Sequence, residues 1–176
     1  MRRYTFIVPS LFSLIRLLLT ILLPFFPEPS WILFIIAAAV SDFLDGWLAR
    51  RWHVESWQGG LLDALADKLF VAVALWVFVS AGKFSLWWIF PVIARDIMVA
   101  ITVCSAVFHK RWEAFKDMDA RVLGKLTTCG QFFLFAVVLL SPEWAMHVLV
   151  LVSGCSIVAG LDYGRLFYQA LHRQST

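Results

Sequence analysis

The feature that most constrains this chain is a succession of six long apolar stretches, separated by short polar breaks and following one another along the whole sequence. Each approaches the roughly 20 residues that a helix needs to cross the hydrocarbon core of a bilayer. Composition agrees: 61% of the 176 residues are hydrophobic and 15% are charged, against about half and about a quarter in soluble domains. The expected fold is an all-α membrane protein, a single domain over residues 1–176. Its six transmembrane helices are expected at about 9–26, 31–52, 59–80, 86–108, 122–140 and 144–168. "PEPS" at 27–30, "AGKFS" at 81–85, the polar segment 109–119 and "SPE" at 141–143 supply breaks.

Charge placement gives an orientation. Arg2 and Arg3, Arg50 and Arg51, Lys110, Arg111, Lys116 and Arg121, then Arg165 and Arg173 fall on one side of such a bundle, whereas the opposite connections offer Lys83. The positive-inside rule then makes both termini cytoplasmic. This distribution suits a membrane surface, and no nucleic-acid partner is expected. The first eight residues, with Arg2, Arg3, Tyr4 and Phe6, are expected to lie flat at that surface. Arg16 interrupts the first apolar run and no small-residue cleavage site follows, so the run reads as a span rather than a cleaved leader. Trp31, Trp52, Trp57, Trp87, Trp88, Trp112 and Trp144 fall near span ends, where indole rings favour the interface. Cys104, Cys129 and Cys155 lie in apolar segments at irregular spacing, which suits packing rather than a disulfide framework or zinc.

Against this background the stretch 41–70, "SDFLDGWLARRWHVESWQGGLLDALADKLF", holds four aspartates, Asp42, Asp45, Asp63 and Asp67. On the second helix Asp42, Asp45, Gly46 and Ala49 are spaced i, i+3, i+4 and i+7 and share a face, with Arg50 close to the same stripe. On the third, Gly59, Asp63 and Asp67 are spaced i, i+4 and i+8. A short cytoplasmic connection makes the two helices antiparallel neighbours, so the two acidic faces are expected to meet near that surface. One acidic residue at the centre of a membrane helix costs about 2.5–3.5 kcal/mol, and four on the order of 10 kcal/mol. Divalent cations offset that cost, and carboxylate oxygen is the donor that Mg²⁺, Mn²⁺ or Ca²⁺ prefers. Gly46 and Gly59 open space beside the aspartates, and Gly59 is expected at the start of the third helix, where free N–H groups favour an anion. Arg50 offers a fork that matches phosphate oxygens. Together these residues suggest a diphosphate ligand. A divalent-ion carrier or a non-catalytic lipid-binding protein accounts for the carboxylates as well, but leaves Arg50 and the glycines without a purpose.

Read whole, Asp42-x2-Asp45-Gly46-x2-Ala49-Arg50-x8-Gly59-x3-Asp63-x3-Asp67 resembles the signature of the CDP-alcohol phosphatidyltransferase family at all eight specified positions. The resemblance implies a six-helix membrane fold with a cytoplasmic active site, and a homodimer. It implies two divalent cations, Mg²⁺ or Mn²⁺, held by Asp42, Asp45, Asp63 and Asp67, with Asp67 as the general base. It implies that Gly46, Ala49, Arg50, Ser56 and Gly59 hold the CDP-lipid while an alcohol displaces CMP.

Three further stretches are similar to bacterial members of the family whose acceptor is glycerol 3-phosphate. "VPSLFSLIRL", 8–17, resembles their Pro-x-x-x-Thr/Ser-x-x-Arg segment, which adds Ser10, Ser13 and Arg16 to the CDP-lipid site; Arg16 serves either the nucleotide or a structural pair. "IARD", 93–96, resembles their Ile-Ala-Arg-Glu, and "GKLTT", 124–128, their Gly-Lys-x-Lys-Thr. Two departures bear on the acceptor: Ile7 and Val8 stand where an asparagine precedes the proline, and Leu126 and Thr127 leave Lys125 alone. Arg95 and Lys125 sit in or beside apolar spans and need anionic partners. For Arg95 these are either Asp96 or an interhelical carboxylate, or, together with Arg121 and Lys125, the phosphate of glycerol 3-phosphate. The implied reaction joins CDP-diacylglycerol to sn-glycerol 3-phosphate among membrane lipids, in a bacterial inner membrane, giving phosphatidylglycerophosphate and CMP. Phosphatidylglycerol, inositol phosphate, serine and choline stand as other acceptors.

Overall fold

The computed structural model describes residues 7–52, 57–108 and 122–173, and every regular element among them is helical. In chain order these are α1 (Ile7–Leu22), a 3-10 turn (Leu23–Phe25), α2 (Glu28–Trp52), α3 (Trp57–Ser80), a second 3-10 turn (Leu86–Trp88), α4 (Ile89–Val92), α5 (Ala94–Phe108), α6 (Val122–Leu140) and α7 (Pro142–Arg173). Contacts gather these into two compact units, Met1–Phe84 and Ser85–Thr176.

In the first unit α1 packs against both α2 and α3, which touch each other far less than either touches α1. The pattern along α1 is inside out. Ser13, Arg16 and Thr20 are buried, while Leu11, Leu14, Leu18 and Ile21 are exposed. The spacing of the buried set, i, i+3 and i+7, is one helical face. Water would drive the opposite arrangement; a helix whose outer solvent is hydrocarbon buries its polar side chains against its neighbours.

The first unit is closed at the far end of α3 by a tight stop. Lys83 N–H donates to Phe78 C=O at 3.0 Å and Gly82 N–H to Val79 C=O at 2.9 Å, with Gly82 at φ +72°. This is the pair of bonds that ends a helix on a left-handed residue, which glycine adopts without strain. Phe84 stacks on Phe78, and Lys83 pairs with Glu28 at the start of α2. Trp31, expected at the interface, is buried instead: its Nε1–H donates to Phe26 C=O and its ring meets Phe78 edge-on. Trp87 and Trp144 are exposed, as interfacial anchors should be.

The second unit is built on α7, which packs against α4, α5 and α6. Its outer surface is apolar too: Leu126, Phe133, Leu140, Leu151, Val158 and Leu161 are exposed, while Thr127 and Gln131 on α6 and Ser153 and Ser156 on α7 are buried beside Phe132, Leu134, Phe135, Leu149 and Val152. Close approach of α7 to α5 depends on Gly160, where a Cβ would lie 3.3 Å from Arg95 Cα and 3.4 Å from Ala94 C=O. Small residues at such crossings are how membrane helices approach closely. Cys129 and Cys155 are free thiols.

The fourth apolar stretch, expected as one helix over 86–108, is broken. Pro91 lacks an N–H and its ring crowds the carbonyl four residues back, that of Trp87, so it fits the first turn of α4 but not the interior of one helix over 86–108. The chain takes the 3-10 turn, then α4, then departs from helical geometry at Ile93 (φ −98°, ψ 8°). Two backbone groups are taken up by other helices: Val92 C=O accepts from Gln131 Nε2 at 3.1 Å, and Arg95 N–H donates to Ser156 Oγ at 3.1 Å. Where water is absent, such partners are what makes a break tolerable, because an unsatisfied backbone group costs several kcal/mol.

By length and composition together, one stretch among the described residues qualifies as membrane-crossing, Pro142–Leu166 in α7; Leu11–Phe25 and Leu126–Leu140 are shorter apolar helices. The 25 residues of α2 and 24 of α3 give about 37 and 36 Å at 1.5 Å per residue, enough for a core of about 30 Å.

Candidate active site

The expected site residues fall in both units. In the first, Arg16 of α1 is wholly buried, and its Nη2–H donates to Asp42 Oδ1 of α2 at 3.2 Å. Of the two readings of Arg16 this is the structural pair. Asp42 keeps 37% of its side-chain surface exposed, so one carboxylate is both tethered to the helix core and open to a ligand. Ser13 is buried one turn before Arg16 on the same face. Asp67 of α3 is partly exposed, and its Oδ1 is buried; the flanking Ala66 and Phe70 are buried.

The backbones of α2 and α3 carry Asp42, Asp45, Gly46, Ala49 and Arg50, and Gly59, Asp63 and Asp67, at the expected helical registers. α3 begins at Trp57, two residues earlier than expected, so Gly59 falls in its first turn rather than at its start. The side chains of Ser10, Asp45, Ala49, Arg50, Asp63 and Lys125, the surroundings of Gly46 and Gly59, and residues Ser56 and Arg121 altogether lie outside what the structure describes. Among the described residues no three His, Cys, Asp or Glu side chains gather. That leaves the chemistry of the donor set as the test of fit. Two carboxylates on each of two helices are all hard oxygen donors, the type Mg²⁺ and Mn²⁺ take, and the exposure of Asp42 leaves an oxygen accessible.

The second unit holds a polar cluster at the break between α4 and α5. Arg95 Nη1 donates to Asp96 Oδ1 at 3.2 Å and to Thr128 Oγ1 at 3.2 Å. Gln131 Nε2 donates to Asp96 Oδ2 at 3.0 Å. The guanidinium lies over the Tyr163 ring, with Cζ 5.9 Å from its centroid, within reach of a cation–π contact. Every side-chain hydrogen bond Arg95 makes among the described residues leaves from Nη1, and its buried Nε makes none. The edge formed by Nε and Nη2, one of the forks that matches a carboxylate or phosphate, is thereby left over. The Asp96 contact, one of the two readings of Arg95, is present, and it does not consume that edge.

Sequence reading singled out neither Gln131 nor Tyr163, nor Ser156. A signal for Gln131 existed: it is a lone amide in an apolar helix, four residues after Thr127 and three after Thr128, on one face. Ser156 and Tyr163 gave none, because both act through a helix 60 or more residues away from their partner in sequence.

Comparison with known proteins bears on what these groups do. The family described as CDP-alcohol phosphatidyltransferase matches residues 6–158. A protein of Pectobacterium atrosepticum named CDP-diacylglycerol–glycerol-3-phosphate 3-phosphatidyltransferase is 35% identical over 177 residues, covering 92% of each chain. Proteins of the same name from Shigella flexneri serotype 5b and Escherichia coli are each 34% identical, covering 81% of this chain and 82% of the relative, and 78% and 79%, respectively.

Proposed function

The chain belongs to the CDP-alcohol phosphatidyltransferase family and is an enzyme of that class, and from this premise we propose that it transfers the phosphatidyl group of CDP-diacylglycerol to sn-glycerol 3-phosphate. The names of the relatives support this acceptor. In the reaction a hydroxyl oxygen of glycerol 3-phosphate bonds to the lipid-bearing phosphorus, the bond from that phosphorus to the CMP oxygen breaks, and the hydroxyl proton passes to Asp67. The products are phosphatidylglycerophosphate and CMP.

Asp42, Asp45, Asp63 and Asp67 would hold two divalent ions, Mg²⁺ or Mn²⁺. Bound there, the ions would polarise the diphosphate and stabilise the leaving phosphate. Arg50, Gly46, Ala49, Ser56 and Gly59 hold the CDP moiety, with Ser10 and Ser13 contributing from α1. Arg16 acts on this site through Asp42, whose carboxylate it fixes. Asp67 accepts the proton only as the new bond forms, so an ordinary carboxylate suffices.

Arg95, with Arg121 and Lys125, holds the phosphate of the acceptor. The observation that carries this assignment is the spare edge of the Arg95 guanidinium: Nη1 is occupied by Asp96 and Thr128 while Nε has no partner among the described residues. A guanidinium anchored on one side and, among the described residues, unpaired on the other is suited to an anion.

The membrane setting completes the proposal. Six spans, cytoplasmic termini, a bacterial inner membrane, a homodimer and a single domain through both units form one reading. The membrane spans are supported by the buried polar face of α1 and the exposed apolar side chains of α6 and α7, and the single domain by a family match that runs through both units. The test is an acceptor panel. Purified protein, CDP-diacylglycerol and Mg²⁺ or Mn²⁺ are incubated separately with glycerol 3-phosphate, phosphatidylglycerol, inositol phosphate, serine and choline, and the lipid product is identified by mass. Phosphatidylglycerophosphate is expected. Cardiolipin from phosphatidylglycerol, with nothing from glycerol 3-phosphate, would replace the acceptor; metal-ion flux with no CMP would replace the enzyme with a carrier.

A further inference from the structure

We propose that Gln131 is a positioning residue for the acceptor phosphate: its carboxamide ties the α4–α5 break to Asp96, and through Asp96 sets the Arg95 guanidinium. The inference rests on the reading of Arg95 given above.

Gln131 is 1% exposed, so its amide has no water to fall back on. Its Nε2 carries two hydrogens and meets two acceptors, Val92 C=O at 3.1 Å and Asp96 Oδ2 at 3.0 Å. Because both neighbours are acceptors, the network itself decides which end of the amide faces them. The choice of residue is narrow. Glutamate would present a second carboxylate and no donor; methionine would match the shape and give no hydrogen bond; lysine or arginine would neutralise Asp96 and compete with Arg95 for it. Only an uncharged double donor leaves Asp96 as the counter-charge of Arg95.

The connectivity then runs in one direction. Gln131 takes Oδ2 of Asp96, which turns Oδ1 toward Arg95 Nη1 at 3.2 Å. Thr128, one turn earlier on α6, accepts from the same Nη1 at 3.2 Å. Two residues of one helical face of α6 thus reach the break, one gripping the backbone and the carboxylate, the other the guanidinium. Tyr163 backs the ring of charge from α7. Without Gln131, Asp96 loses one of the bonds that orient it, and Arg95 regains rotamers that point its free edge elsewhere. Ground-state capture of the acceptor weakens, while CDP-lipid binding and the chemical step do not depend on this cluster.

The test is the kinetics of CMP release by the full-length protein in lipid–detergent micelles, with each substrate varied in turn. For Gln131→Met, KM for glycerol 3-phosphate is expected to rise about tenfold, with kcat and KM for CDP-diacylglycerol within about threefold, as for loss of a bond made in the ground state. Gln131→Asn keeps an amide in the core but is one methylene too short to meet both acceptors, so it should show the same selective rise if the methionine variant does not fold. A selective rise in either folded variant supports the proposal. An unchanged KM for glycerol 3-phosphate overturns it, as do both KM values moving together, or failure of both variants to fold. Arg95→Ala separates the two layers. If it leaves KM for glycerol 3-phosphate unchanged, the phosphate pocket itself is wrong; if it raises KM while Gln131→Met does not, only the positioning role is wrong.

Discussion

Gly154 and Gly160 lie six residues apart on α7 and offer a matched pair of substitutions. A Cβ added at Gly154 meets nothing within 4 Å, whereas one at Gly160 lies 3.3 Å from Arg95 Cα and 3.4 Å from both Arg95 N and Ala94 C=O. Carbon atoms prefer about 3.5–4.0 Å, and here the neighbour is backbone at a helix start, which cannot swing aside as a side chain would. Each Gly→Ala change gains about 1 kcal/mol of helix propensity. That gain is common to both and cancels in the comparison. What is left is the overpacking at Gly160, about 1–3 kcal/mol. For a chain of this length 1 kcal/mol moves Tm by about 2–4 °C, so Gly160→Ala should melt on the order of 5 °C below Gly154→Ala. The assay is thermal unfolding of the purified proteins in one detergent, followed by tryptophan fluorescence. Equal melting temperatures, or a more stable Gly160→Ala, would mean that α7 and the start of α5 do not approach as described.

Asp67→Asn should lower CMP release by at least about 100-fold, the usual contribution of a general base, while the protein still purifies as a monodisperse species; near-normal release would remove Asp67 from that role. In the Arg16–Asp42 pair the two deletions should differ. Asp42→Leu deprives a wholly buried guanidinium of this carboxylate, at about 3 kcal/mol or more, whereas Arg16→Met leaves a carboxylate that solvent reaches, so the methionine variant should melt higher. Ser153 Oγ is buried with no hydrogen bond among the described residues, so Ser153→Ala should be neutral or stabilising by up to about 1 kcal/mol; a clear loss in Tm would show that the hydroxyl is engaged.

What could be read from the sequence was what local rules govern. The helix expected over 122–140 is Val122–Leu140, the "AGKFS" turn stops α3 at a left-handed glycine, and Pro142 opens α7 at the position proline favours. The aspartate registers on α2 and α3 were legible for the same reason, since i+3 and i+4 spacing needs only a helix. Less was legible wherever two distant segments settle the matter. Pro91 announces a disturbance, but its placement at Ile93 depends on Gln131 donating to Val92 C=O and Ser156 accepting from Arg95 N–H. Arg16 read alone is ambiguous, and its partner Asp42 sits 26 residues on, on another helix. The inverted face of α1 could have been found, because Ser13, Arg16 and Thr20 already lie on one stripe in an otherwise apolar run. Trp31 shows the opposite failure: a rule about interfaces yields to a carbonyl and an aromatic ring within reach.

The most direct test of the central claim, that the acidic faces of α2 and α3 share divalent ions with a nucleotide diphosphate, is Mn²⁺ binding followed by electron paramagnetic resonance, with and without CDP. The prediction is about two Mn²⁺ per chain when CDP is present, with occupancy falling in both Asp45→Asn and Asp63→Asn. Mn²⁺ binding that ignores CDP and survives both substitutions would contradict it.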